Sequence, residues 1–204
     1  CYDGIMKTSV EIIQILTAVA RPEILKDFRE DSCIASTRIG IDVLAHFHVW
    51  AEPLCVKAVI YNPAIVKRVE EGHKIPQTMD ELNLWQKLYG AHNIGLGFGG
   101  DPHPNKFPGH VCVLAEDKYL IDLSVDQCNR PQHNINLLPF VTPVNEEFKK
   151  QKEHHKIMLN GCVLCIECDK DNKGYTKSGD WFIAYRTRPA VNRIVKIIEE
   201  ELNV

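Results

Sequence analysis

His110-Val111-Cys112-Val113-Leu114-Ala115-Glu116-Asp117-Lys118-Tyr119-Leu120-Ile121-Asp122-Leu123-Ser124 reads as two strands joined by a charged turn. With Glu116-Asp117-Lys118 as the loop, Ala115 faces Tyr119, Val113 faces Ile121 and Val111 faces Leu123, which makes one continuous apolar face. The other face pairs Leu114 with Leu120, Cys112 with Asp122 and His110 with Ser124. Side chains alternate along a strand, so this register makes His110 and Asp122 diagonal neighbours on one face. A slip of one residue would divide the apolar set between core and solvent, which burial opposes. The register that buries the apolar residues therefore also joins an imidazole to a carboxylate. The plainer alternative is a half-polar hairpin whose His and Asp meet solvent.

Upstream, Cys33 stands at the start of an apolar helical repeat, Ile34, Ile39, Val43, Leu44 and Phe47, with Asp31 or Ser32 placed to cap it. A thiol at a helix N-terminus meets the positive end of the helix dipole, which favours the thiolate. A thiol nucleophile needs a base, and the base needs an acid to orient it. Cys33, His110 and Asp122, carried by a helix start and two adjacent strands, are the candidate catalytic residues. The alternative for Cys33 is a buried structural cysteine, since free cysteines are commonly core residues.

The rest of the chain places these motifs in an α+β layout: N-terminal helices, then an antiparallel β-sheet, then a last helix. Apolar spacing predicts a helix over Val10 to Val19, and Pro22 opens a second short one through Ile24, Leu25 and Phe28. A strand follows over Leu54 to Asn62, then helices from Pro63 to Glu71 and Met79 to Tyr89. The glycine-rich run Gly95 to Gly109 lacks the lysine and hydroxyl of a phosphate loop and reads as a rim or lid feeding the His110 strand. Beyond Ser124, the residues to Pro131 are turn-like and Phe140 to Pro143 is extended. A charged helix is expected over Glu146 to Lys156, strands over Val163 to Cys168 and Asp180 to Arg186, and a helix over Val191 to Leu202.

A length of 204 residues suits one domain spanning residues 1–204. The net charge of -3 with dispersed basic residues gives no reason to expect a nucleic-acid partner. No apolar run reaches membrane-spanning length and no signal-like start is present, so a cytoplasmic protein is expected. The chain begins at Cys1, an amine-bearing thiol that nothing downstream supports as a nucleophile.

The eight cysteines lack the spacing of a secreted disulfide scaffold, so reduced thiols are expected. Cys162, Cys165 and Cys168 form a C-x-x-C-x-x-C run, yet on a strand Cys165 points away from the other two and no second pair completes a zinc site. No metal site and no cofactor are expected.

At Cys33 on its helix start, the Leu54 to Tyr61 strand, Gly109-His110-Val111 and Leu120-Ile121-Asp122-Leu123-Ser124, the chain resembles the transglutaminase-like group of papain-type cysteine enzymes. The resemblance covers roughly residues 30 to 130, and it extends to a bacterial subset with Asp122-Leu123-Ser124-Val125-Asp126-Gln127 followed by Arg130-Pro131. It implies a transglutaminase-like core and a Cys33-His110-Asp122 triad acting on an amide- or ester-bearing substrate, peptide, protein or small molecule. The group also holds arylamine N-acetyltransferase-like members, whose Arg-Gly-Gly-x-Cys motif Glu30-Asp31-Ser32 does not match, which argues against acetyl-CoA chemistry. The Cys33 backbone N–H supplies one oxyanion donor, with Trp50, Gln127 and Asn129 as alternatives for the second and for substrate binding. The rival is a catalytically inactive module that keeps the fold for binding.

Overall fold

The computed structural model describes residues 8–98, 107 and 109–203. Cys1 and most of the glycine-rich rim, residues 99–106 and 108, lie outside the described residues. Helix α1 spans Ser9–Ile24, α2 Cys33–His46, α3 Pro63–Glu70, α4 Met79–Tyr89, α5 Glu146–Lys149, α6 Gly179–Phe182 and α7 Ala184–Leu202. Strand β1 spans Ala51–Tyr61, β2 Asn93–Leu96, β3 His110–Ala115, β4 Tyr119–Asp122, β5 Phe140–Pro143, β6 His155–Leu159 and β7 Cys162–Cys168. The fold is α+β, and among the described residues no helix is long and apolar enough to cross a membrane.

The strands form one antiparallel sheet in the order β5-β4-β3-β1-β7-β6. Strand β1 pairs with β3 along Ala51 to Val56 and with β2 along Ala58 to Tyr61. The β3–β4 hairpin has the register that the apolar pattern dictates: Val113 opposite Ile121, Leu114 opposite Leu120, Ala115 opposite Tyr119.

The sheet has two covered faces. On one, Val113, Ala115, Ile121 and Leu123 meet Ile13, Leu16, Ile39, Val43, Ile194 and Ile198 of α1, α2 and α7. On the other, Cys112, Leu114 and Leu120 pack with Val125, Cys128, Leu137, Phe140 and Phe148 from the chain that follows β4, and with Leu164 and Ile166 of β7. Helix α2 lies close on its face. A Cβ on Gly40 would stand 3.0 Å from both Leu123 Cδ1 and Val113 Cγ2. Gly40→Val is therefore expected to destabilise by about 1–3 kcal/mol through overpacking. Urea unfolding would measure it, and an unchanged midpoint would mean that α2 shifts freely on the sheet.

Three expectations need correction. Pro22 does not open a second helix: α1 runs through it to Ile24. The stripe of Ile13, Leu16, Thr17, Ala20, Arg21 and Ile24 is buried as one face, and this holds the helix through a proline that removes one amide donor near its end. The charged helix stops at Lys149 rather than Lys156, with Gln151 just beyond it at φ 61. His155–Leu159 is instead an edge strand hairpinned to β7 through Asn160 and Gly161, both at positive φ. Asp180 to Arg186 is not a strand: it is the end of α6 and the start of α7, separated at Ile183. Phe182 and Tyr185, which favour a sheet by type, are exposed, while Thr187, Ala190, Ile194 and Ile198 repeat at helical spacing on the buried face of α7.

Candidate functional site

His110 opens β3, and its imidazole Nε2 donates to Asp122 Oδ2 at 2.7 Å. The two side chains are 1% and 3% exposed, so the pair is sealed from bulk water. The other Asp122 oxygen accepts from the Ser124 backbone N–H at 2.9 Å. Burial opposes charge on either group. The Asp122 charge and hydrogen bond, with a smaller contribution from Cys112, outweigh that and hold His110 well above its ordinary value. In turn His110, with the Ser124 N–H, keeps the Asp122 carboxyl below the usual carboxylate range despite its burial. The arrangement is an imidazolium–carboxylate pair in a dry site.

Cys112, two residues along β3, shares the face, and His110, Cys112 and Asp122 present ligand atoms within 4.8 Å of one another. Those atoms are a possible metal-ligand set. Nε2 and Oδ2 are hydrogen-bonded to each other, and burial pushes the Cys112 thiol up to about 12. Burial likewise pushes Cys55 up to about 12 and Cys128 to about 11.

Cys33 is the first residue of α2. Ser32 precedes it as the cap residue, yet its side chain makes no capping bond. The first-turn N–H groups beside Cys33 therefore lack the side-chain acceptor expected of Ser32, which leaves the positive end of the helix open. The helix is bolted to β3 by the Thr37 hydroxyl, which donates to Val111 O at 2.8 Å. Thr37 is one turn past Cys33, so this bond sets the nucleophile end of α2 at the His110 end of β3. Cys33 packs there with Val111, Cys55 and Tyr175, and against Ile34, Phe107 and Trp181.

The structure thus joins His110 to Asp122 and seats Cys33 against Val111, the next residue after His110. His110 is hydrogen-bonded to Asp122, and the Gln127 carboxamide lies 3.1 Å from Nδ1; with the ring charged Nδ1–H donates, so the carboxamide has to offer its oxygen there. Val111 and Val113 point to the α2 side of the sheet, and His110 and Cys112 to the other, so the thiol and the ring approach the strand end from opposite faces.

Of the three residues expected to bind substrate, Gln127 is at the site. Trp50 is not: β1 pairs Ala51 with Ala115 and Val56 with His110, which puts Trp50, 51% exposed, at the opposite end of β3. Asn129 is committed elsewhere, its side chain donating to Leu137 O at 3.1 Å and accepting from Leu137 N at 2.6 Å. Gln127 also lines a cleft of about 670 Å³ with Leu25, Phe28, Glu30, Asp31 and Arg130. One wall of that cleft is the segment leading into Cys33, and the other is the turn carrying the partner of His110.

The thiols of the C-x-x-C-x-x-C run alternate as a strand requires, Cys162 and Cys168 buried on one side and Cys165 half-buried on the other. Cys162 and Cys168 lie 3.6 and 3.8 Å from the carbonyls of Asn134 and Lys149.

Comparison with protein-family models, with curated proteins and with solved structures found no match.

Proposed function

We propose that the chain is a cysteine-dependent acyl-transfer enzyme on a transglutaminase-like core, with Cys33 as nucleophile, His110 as its proton partner and Asp122 as the orienting acid. The observation that carries this is the buried His110–Asp122 pair, 2.7 Å apart, at the strand end on which the Cys33 end of α2 is fastened. The raised imidazole is the partner a thiolate needs, since a charged ring stabilises it.

In this reading the thiolate attacks the carbonyl carbon of an amide or ester bound in the cleft, forming the C–S bond as the carbonyl electron pair moves onto oxygen. The open first turn of α2 offers backbone N–H donors to that oxyanion, and Gln127 offers its side-chain amide as the second donor. Collapse breaks the bond to the leaving nitrogen or oxygen, which takes its proton from His110. Water, an amine or another nucleophile then releases the acyl group. For the thiol to reach Nδ1, the Gln127 amide must leave it, and entry of substrate into the cleft is the event that displaces it. The Gln127 contact also favours a second reading, a module whose His–Asp pair is structural and whose Nδ1 stays capped.

Limiting iodoacetamide at pH 7, read by peptide mass on the full chain, separates the two. Preferential alkylation of Cys33, slowed in His110→Asn, supports the enzyme. Labelling led by Cys165, with Cys33 inert, supports the module. Stoichiometric metal in the purified protein would instead assign His110, Cys112 and Asp122 to an ion.

A further inference from the structure

Helix α1 carries an arginine on its apolar stripe. Arg21 is 4% exposed, among Thr17, Ala20 and Ile24. Fully desolvated guanidinium groups are rare unless every donor has work to do. Here the Nε–H donates to Asp126 Oδ2 at 2.9 Å, and Oδ1 lies 2.8 Å away as an ion-pair contact without hydrogen-bond geometry. One terminal nitrogen donates to the carbonyl of Glu30 at 2.7 Å. The other points at the hydroxyls of Ser32 and Ser36, at 3.4 and 3.5 Å.

These partners belong to the two segments that hold the site. Glu30 and Ser32 lie just before Cys33, and Ser36 is in the first turn of α2. Asp126 is the residue before Gln127, in the short turn Val125–Cys128. A single planar fork therefore fixes both the lead-in to the thiol and the turn that brings Gln127 to His110 Nδ1. Arg21 also explains why Ser32 caps nothing: its hydroxyl faces the guanidinium, which leaves the first-turn N–H groups of α2 open. A second arginine makes a useful contrast. Arg193 of α7 grips the same end of α1, 2.9 Å from Glu23 and 2.6 Å from Asp27, and touches neither segment of the site.

We propose that Arg21 is a positioning residue for the thiol chemistry, acting through the Cys33 lead-in on one side and the Gln127 turn on the other. This rests on the acyl-transfer reading. Because the fork geometry and not only the charge matters, lysine is expected to be a poor substitute: it brings a point charge that cannot hold Asp126 and Glu30 together.

The test compares the full chain with Arg21→Met, Arg21→Lys and Arg193→Met. Two quantities are measured for each: the iodoacetamide rate at Cys33 from pH 5 to 9, and the thermal midpoint. Arg21→Met is expected to slow Cys33 about tenfold or more at pH 7, loss of the fixed lead-in outweighing release of Gln127 from Nδ1, and to move the rate profile to higher pH. Arg21→Lys is expected to recover only a small part of that rate. Arg193→Met is expected to lower the midpoint while leaving the profile in place. If Arg21→Met and Arg193→Met lower the midpoint alike and both keep the wild-type profile, Arg21 is only a fold anchor and the proposal fails, with the enzyme reading intact. If Cys33 of the unaltered chain reacts no faster than Cys165, the enzyme reading fails and takes this role with it. Should Arg21→Met not fold, Asp126→Asn frees the Gln127 turn alone. A faster Cys33 there, as release of Gln127 from Nδ1 requires, supports the proposal, and an unchanged rate ends it.

Discussion

Replacing Asp122 with asparagine is expected to destabilise the fold by about 3–5 kcal/mol around pH 6, because the buried ring loses its counter-charge and must give up its proton to stay buried. The sign of the pH dependence follows from the two shifts. His110 is raised, so its contribution is complete below the unfolded value of about 6.5 and is lost as pH climbs through the folded one. Asp122 is lowered, so its contribution is complete above about 3.9 and is lost as pH falls through its folded value. The gap between wild type and Asp122→Asn should thus be widest between about pH 4 and 6.5 and narrow on both sides. Urea unfolding across pH 3 to 9 measures it, and parallel curves would mean that no ion pair forms.

The same substitution removes the group that keeps the ring charged and fixed in orientation. Burial alone then drives the imidazole neutral. Turnover should fall by about four orders of magnitude, the loss seen when an orienting acid is replaced in a serine enzyme. Stability and chemistry are separable in the pair His110→Asn with Asp122→Asn. Removing both partners leaves no stranded charge, so much of the stability should return while the reactivity of Cys33 does not. A double variant that regained reactivity would show that the pair serves only the fold.

The two features that define this site differ in how openly the sequence displays them. The His110–Asp122 pair was legible because it follows from parity: once Val111, Val113 and Ala115 must face Ile121 and its neighbours, the polar set has nowhere else to go. The helix beginning at Cys33 was legible from its repeat. Other parts of the fold are also written in local signals. Asn160-Gly161 is a strong two-residue hairpin signal, and it marks the β6–β7 turn; the expected helix Glu146 to Lys156 overlaps β6 only at His155 and Lys156. Thr17 and Arg21 stand at four-residue spacing from Ile13 on the apolar face of α1, and a charge on such a stripe points to a buried partner.

Other relations are long-range and no local pattern carries them. Asp126 is 105 residues from Arg21, and Gln127 reaches His110 only because the chain after β4 folds back over the sheet. The same long-range packing removed two residues from the site. Trp50 and Asn129 were offered as oxyanion donors by type, but the β1–β3 register carries one away and the Leu137 backbone occupies the other. A donor must be within about 3 Å of the oxyanion, and residue type says nothing about that.

Gln127 is left as the side chain on which two opposite effects should meet. Its amide lies on His110 Nδ1, the ring atom that the Cys33 sulfur has to face. In the resting chain it therefore competes with the thiol. In the proposed reaction it turns to the oxyanion and stabilises it. Gln127→Ala should consequently raise the iodoacetamide rate of Cys33 several-fold, since alkylation builds no oxyanion and needs only a free Nδ1. With p-nitrophenyl acetate as an activated acyl donor, the same variant should lose about 10²–10³ in acylation rate, the usual penalty for deleting one oxyanion donor. Opposed signs in one variant are hard to obtain from general disorder, which would depress both rates. If both fall together, Gln127 merely shapes the cleft it lines with Glu30 and Asp31. If alkylation is unchanged, the thiol never competes for Nδ1, and the opposite-face placement of Cys33 and His110 is then permanent, as the binding-module reading requires.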